Sequence, residues 1–211
     1  MKAIKKDLLI LGAGGHSRVL IDTAELLGYV VLGIVDVNYY GQEERILGYP
    51  VIGDISALSS YSVETTEIVI AFGDNAKRRE YFTKVREMGF NVPALIHPSS
   101  VLSKYVKLKE GVFINAGVIV NALAEVEENS IINTGSIIEH EVKIGKNSHI
   151  CPGVRIAGRV MIGNNTFVGT GSTIIDKITI GDNVIIGAGS VVIRDIKSNS
   201  KVAGIPAREL K

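Results

Sequence analysis

The sequence predicts two architectures in series, an α/β unit of parallel strands and then a parallel β-helix, and three observations carry the prediction. The apolar run Leu8 to Leu11 ends in Gly12-Ala13-Gly14-Gly15 and opens into a helix-period segment. Strand-like and helix-like segments alternate from there to about residue 97. From Ile96 to Val192 every sixth residue is Ile, Leu or Val, at seventeen positions without a miss. A period of six belongs neither to an α-helix nor to an isolated strand. It is the period of short parallel strands stacked in coils, each sending one aliphatic side chain inward.

The first part reads as a half-Rossmann unit, element by element. Leu8–Leu11 is a buried strand, and the helix after it carries Leu20, Ala24 and Leu27 on one face and stops at Gly28. Val30–Val35 is a second strand, ending at Asp36. The polar, glycine-containing segment 38–50 reads as a loop, and Asp54 as the cap of a short helix through Leu58. Ile68–Phe72 is a third strand, ended by Gly73-Asp74-Asn75. A helix over Ala76–Met88 presents Phe82, Val85 and Met88 and closes at Gly89, and Val92–Ile96 is a fourth parallel strand.

The hexad column begins at once, with His97-Pro98 as the junction. Three hexads to a triangular turn give about five turns. Two residues before each column position stand small or β-branched residues such as Ser136, Val142, Ser148 and Thr166. One residue after it glycine recurs, at 145, 163, 169, 181 and 187, and is expected to supply the permissive backbone of the corners. After Val192 the pattern stops, and the tail is expected to cover the open end of the stack. The expected division is 1–97, 98–193 and a tail, 194–211.

Composition narrows the function. A net charge of +1 gives no bulk attraction to nucleic acid or a membrane surface, so an anionic ligand needs local donors. Cys151 is the single cysteine, which excludes an internal disulfide and suits a cytoplasmic setting. Leu8–Leu11 is too short for a membrane span.

Four histidines exist, at 16, 97, 140 and 149. His140 follows an inward position by two residues and should lie at a corner or on the outer surface, where an imidazole can accept a proton. Glu141 beside it can hold the other ring nitrogen. The same two residues also describe a solvated surface pair. His149 lies one and a half hexads further on, hence on a different face, and equally reads as a corner histidine bonded to backbone. Gly12-Ala13-Gly14-Gly15-His16-Ser17, between a strand and a helix, offers backbone N–H groups and a helix N-terminus to an anion, or is a tight turn with no ligand. As a dinucleotide fingerprint it has Ser17 where glycine is required. Cys151 has no base partner in the sequence and reads as a small corner residue.

The hexads Ile144-Gly145-Lys146-Asn147, Ile162-Gly163-Asn164-Asn165 and Ile180-Gly181-Asp182-Asn183 resemble those of left-handed β-helix acyltransferases. With Leu11-Gly12-Ala13-Gly14-Gly15-His16, Ile96-His97-Pro98-Ser99 and Gly204-Ile205-Pro206-Ala207-Arg208, the whole chain resembles bacterial acetyltransferases of nucleotide-linked 4-amino sugars, with a sialic acid O-acetyltransferase-like branch beside them. The resemblance implies a Rossmann-like nucleotide-sugar-binding domain and a left-handed β-helix. It implies acetyl-CoA as co-substrate, a UDP-, dTDP- or GDP-linked amino sugar as acceptor, and a homotrimer with its site between subunits. It also implies that His140 is the catalytic base, assisted by Glu141, with direct transfer and no acyl-enzyme. His149, Gly158, Thr170 and Ala188 would contact acetyl-CoA, Gly158 through its backbone N–H at the thioester oxygen. Gly14, Gly15, His16, Asp36 and Gly73 would hold the nucleotide sugar.

Three other readings compete. The same machinery on a sugar hydroxyl gives an O-acetyltransferase. A zinc hydratase needs three converging histidines, of which the coils contain two, and no metal site is expected. A nucleotide-sugar-binding scaffold would bind nucleotide but not acetyl-CoA.

Overall fold

The computed structural model describes residues 6–41 and 43–210. The chain forms two compact units, which divide between Pro98 and Ser99.

The first unit is built on a five-stranded sheet of β1 (Asp7–Leu11), β2 (Val30–Val35), β3 (Arg45–Ile46), β4 (Tyr49–Gly53) and β5 (Thr66–Ile70), in the order β3-β4-β2-β1-β5. β4, β2, β1 and β5 are parallel, and β3 pairs antiparallel on the edge. The inner strand β1, between β2 and β5, is apolar on both faces from Leu8 to Leu11, as a parallel strand covered on both sides must be. Leu9 and Leu11 share a core with Val35, Leu58, Ile68, Ile70 and Val85, the last from helix α2 (Asn75–Glu87). Helix α1 (Gly15–Leu26) packs on β1 and β2 and buries Leu20, Ile21 and Ala24. Asp54 caps the 3-10 helix Ile55–Ser60, its carboxylate accepting from the Ser56 N–H.

Three expectations for this unit are corrected. Segment 38–50 is not all loop, because Arg45–Ile46 and Tyr49–Gly53 form a hairpin. Its turn, Leu47-Gly48, has φ of 50° and 88°, the two left-handed residues a tight hairpin needs. Val92–Ile96 is not a fourth strand of the sheet. Only Asn91 bridges to Glu67 before Pro93, which lacks an N–H, and the short strand Leu95–Ile96 lies outside the sheet. Leu27 and Met88, expected on apolar helix faces, are about 40 % exposed.

The second unit is a three-faced parallel β-helix. The strands that begin at positions 101, 119, 137, 155, 173 and 191 stack on the first face, and those at 107, 125, 143, 161 and 179 on the second. The strands that begin at 113, 131, 149, 167 and 185 stack on the third. Each pairs in parallel with the strand one full turn further on, as in Ile137↔Arg155 and Lys143↔Met161. The column residues point inward and are buried from Ile114 onward. The residues two before them are buried as well, and their hydroxyls tie one coil to the next. Ser148 Oγ donates to the Gly163 carbonyl (2.9 Å) and accepts from the Thr166 N–H (3.1 Å).

The corners work differently from the expectation. The left-handed residue stands three after the column, at Gly135, Gly153, Asn147, Asn165 and Glu141 among others. The glycines one after the column do not have positive φ. They are required by stacking: a Cβ on Gly145 or Gly163 would lie 2.5–2.6 Å from backbone of the next coil. The tail is also part of the stack. Lys201–Ala203 pairs in parallel with Ile185–Ile186, and Ile196 bridges to Ile180, each pairing closing a turn shorter than the regular three hexads.

Candidate active site

His140 stands at the corner after the first face, two residues beyond the buried Ile138. The coil places its neighbours by simple stacking, so that Gly158 occupies the equivalent corner of the next coil. The His140 ring lies over that glycine: a Cβ there would be 2.6 Å from both Cε1 and Nε2. Gly158 is therefore a glycine because the imidazole occupies the side-chain space. The rungs are held by backbone bonds, Glu141 N–H to Ala122, Arg159 N–H to His140 and Lys177 N–H to Gly158.

The ring is oriented from the other side. His140 Nδ1 is 3.0 Å from Glu141 Oε2, and the same oxygen accepts from Arg159 Nε at 3.0 Å. The Arg159 guanidinium first, and the His140 ring second, hold the Glu141 carboxyl below the usual carboxylate range. An ionised carboxylate only accepts, so Nδ1 carries the proton, and in the neutral ring Nε2 presents its lone pair. Half of the His140 side chain remains exposed, so an acceptor can reach it. Glu141 takes up this position with φ of 60°, a conformation that costs a non-glycine residue roughly 1 kcal/mol.

Thr170 and Ala188 stack one coil apart at the corner after the third face, and both are exposed. The Thr170 carbonyl accepts from the Gly189 N–H. His149 lies within a third-face strand, not at a corner, and is buried, with Phe167 edge-on at 5.4 Å. The chain thus brings His140, Glu141 and Gly158 together at one edge of the coil and leaves His149, Thr170 and Ala188 on another face and edge. Cys151 is buried.

In the first unit a cleft of about 530 Å³ is lined by Gly14, Gly15, His16, Asp36 and Gly73, the five residues expected to hold the acceptor. It also takes in Asn38, Glu44, Phe72, Asp74 and Lys77. Both helices begin here, α1 at Gly15 and α2 at Asn75, so two positive dipole ends meet at one cleft, and the Asp74 carboxylate caps the second by accepting from the Lys77 N–H (2.7 Å). Gly12 has φ of 114° and leaves room for the Phe72 ring, which a Cβ would meet at 3.0 Å. Ser17, in place of the fingerprint glycine, is buried and donates to the Gly14 carbonyl (2.6 Å), closing the turn. Asp36 at the end of β2 accepts from the Asn38 N–H (3.0 Å).

Comparison with known proteins places the chain. Residues 7–85 match the PglD N-terminal domain, and 124–158 and 159–194 match the bacterial transferase hexapeptide (six repeats) family. A histidine-to-alanine variant of GDP-perosamine N-acetyltransferase from Caulobacter crescentus, solved with CoA and GDP-perosamine, is 36% identical over 97% of both chains, with a TM-score of 0.93. The chain belongs to the hexapeptide-repeat sugar acetyltransferases. The acetyltransferase domain of PglB from Neisseria gonorrhoeae, solved with acetyl coenzyme A, is 33% identical over 98% of this chain and 100% of that one, with a TM-score of 0.92. WeeI from Acinetobacter baumannii, 21% identical with a TM-score of 0.89, shares the fold. The β-helix is accordingly of the left-handed hexapeptide type.

The sequence reading missed several contributors to these sites in the acetyltransferase. Arg159 is one coil beyond Glu141, at the 18-residue spacing of three hexads, where the sequence gives a charge complement but not the contact. Lys77 lies in the cleft with its ammonium 4.6 Å from the Phe72 ring centre. Arg78 is buried and donates to the carbonyls of Phe72 and Gly73 and to Asn75 Oδ1, so it shapes the Gly73 loop. A charged residue at that point of a polar helix gives no signal in sequence. Among the described residues no helix is long and apolar enough to cross a membrane.

Proposed function

We propose that this protein transfers an acetyl group from acetyl-CoA to the 4-amino group of a nucleotide-linked sugar. The observation that carries the reading is the His140 ring, held over Gly158 by Glu141 with Nε2 presenting a lone pair. The acceptor amine adds to the thioester carbonyl, Nε2 takes the proton the amine loses, and the C–S bond breaks as the amide forms. The thiolate leaves and takes that proton from Nε2, which returns the ring to its starting state, so no acyl-enzyme is needed. Gly158 N–H serves the carbonyl oxygen, where negative charge gathers during addition. The ligands of the Caulobacter and Neisseria enzymes support this choice of donor and acceptor.

The cleft at Gly14, Gly15, His16, Asp36 and Gly73 holds the nucleotide diphosphate. Its two helix N-termini and Lys77 are the groups that favour an anion there, beside the Asp36, Glu44 and Asp74 carboxylates that line the same cleft. The active species is a homotrimer, and the protein works in the cytoplasm. Separation of His149, Thr170 and Ala188 from the His140 edge within one subunit supports a groove completed by a neighbour, whose third face brings the acetyl-CoA contacts. The first face is the more apolar of the two, turning out Val101, Ile119, Ile137 and Val191 beside Arg155 and Thr173, whereas the second turns out Lys107, Glu125 and Lys143 beside Met161 and Thr179.

Release of free thiol from acetyl-CoA, followed with UDP-, dTDP- and GDP-linked 4-amino sugars, tests the reading. Turnover with one nucleotide and its loss in His140→Ala is the expected result. Absence of turnover with all three, in protein that is trimeric, refutes it.

A further inference from the structure

The third face carries a polar chain that the catalytic reading does not use. One residue after the column on this face come Asn115, Asn133 and then Cys151, so an amide ladder begins and is cut short. Asn115 Nδ2 donates to Asn133 Oδ1 at 2.8 Å. Asn133 Nδ2, with no amide at 151 to receive it, lies 3.2 Å from His149 Nε2.

The direction of both amides is fixed by groups that cannot be reversed. The backbone N–H of Ala116 donates to Asn115 Oδ1 (2.7 Å), and that of Thr134 donates to Asn133 Oδ1 (2.8 Å). A backbone N–H has only a proton to offer, so the atom facing it must be the amide oxygen. Both NH₂ groups therefore point down the chain. The last of them can bond His149 Nε2 only if that nitrogen has no proton.

We propose that Asn133, backed by Asn115, is a positioning residue that keeps His149 neutral with its proton on Nδ1. A protonated Nε2 would set two N–H groups against each other in a residue that is 7% exposed and flanked by Phe167. The proton placement stands on the hydrogen bonds alone. Its consequence for the reaction rests on the proposal that His149 contacts acetyl-CoA: the donor then meets an uncharged imidazole whose donating edge is set in advance, and its binding avoids selecting one tautomer from two.

The test uses the full-length protein labelled with ¹⁵N-histidine. Long-range ¹H–¹⁵N spectra, with His149→Gln to assign the resonances, should show His149 Nε2 unprotonated and Nδ1 protonated. Asn133→Asp replaces the donor with an acceptor and should move a proton onto Nε2. Calorimetry should show that variant binding acetyl-CoA about twofold to twelvefold more weakly, the range for one lost hydrogen bond. A wild-type spectrum with Nε2 protonated overturns the proposal, and it needs no variant to fold. The expected tautomer with unchanged acetyl-CoA affinity in Asn133→Asp supports the positioning and removes His149 from the donor site.

Discussion

Replacing Gly158 by alanine separates catalytic geometry from stability. The new Cβ would lie 2.6 Å from Cε1 and Nε2 of His140, and ordinary contact requires the ring to retreat by about 1 Å. The ring is half exposed and free to turn outward, so the fold loses little. Gly158 does not have positive φ, so its backbone accepts alanine, and reduced freedom of the unfolded chain contributes about 0.4–1 kcal/mol in favour of the variant. Nε2, however, leaves its position over the coil or gives up the 3.0 Å contact of Nδ1 with Glu141. A misplacement of about 1 Å at a reacting group costs up to 10²-fold in rate. Thiol-release kinetics and a thermal melt of the same sample should therefore show kcat reduced about 10- to 100-fold at an unchanged or slightly higher Tm. Wild-type kcat at an unchanged Tm would show that His140 does not act from the position over Gly158.

Gly163→Ala has the opposite signature: its Cβ would meet backbone of the next coil at 2.5–2.6 Å, which cannot swing away, so thermal or urea melts should show a loss of about 2–3 kcal/mol. Arg78→Met leaves the Phe72 and Gly73 carbonyls without their buried donor and should weaken nucleotide-sugar binding measured by calorimetry, at a stability cost of about 1–3 kcal/mol. Burial, followed by the nearby Glu67 carboxylate, pushes the Tyr29 hydroxyl up to about 12. Its folded pKa lies above the unfolded value of about 10, so this contribution is complete below pH 10 and is lost between pH 10 and 12. Melts across that window should fall less steeply for Tyr29→Phe than for wild type. Arg159→Gln removes the main group holding the Glu141 carboxyl low, so in an NMR titration that carboxyl should move up toward its ordinary value.

Most of the β-helix is legible in one dimension because its core is one-dimensional. A single inward residue per hexad, with a small partner two residues before it, leaves a period that no loop interrupts. The same regularity misled at the corners. Glycine after the column suggested backbone freedom, yet Gly145 and Gly163 are there because the next coil lies against them, a contact remote in sequence. The last rung was missed because the chain shortens its turn between Val192 and Ile196, which breaks the count but not the pairing. In the first unit the hairpin turn Leu47-Gly48 lacks the Asn-Gly signature, so its left-handed leucine concealed two strands.

The order of residues alone was enough for the hexad coil, the glycine-rich turn between β1 and α1, and the pairing of His140 with Glu141, since each is a matter of residues within a few positions of one another. It also named, through resemblance, five residues that line one cleft of the first unit. The folded chain was needed for whatever lies one coil away: that the His140 ring fills the space above Gly158, that Arg159 shares the Glu141 carboxylate, and that two backbone N–H groups and two asparagines fix the His149 proton. The physical reason is that hydrogen bonds and steric exclusion act over about 3 Å, whereas the residues they join stand 16 or 18 positions apart in the chain.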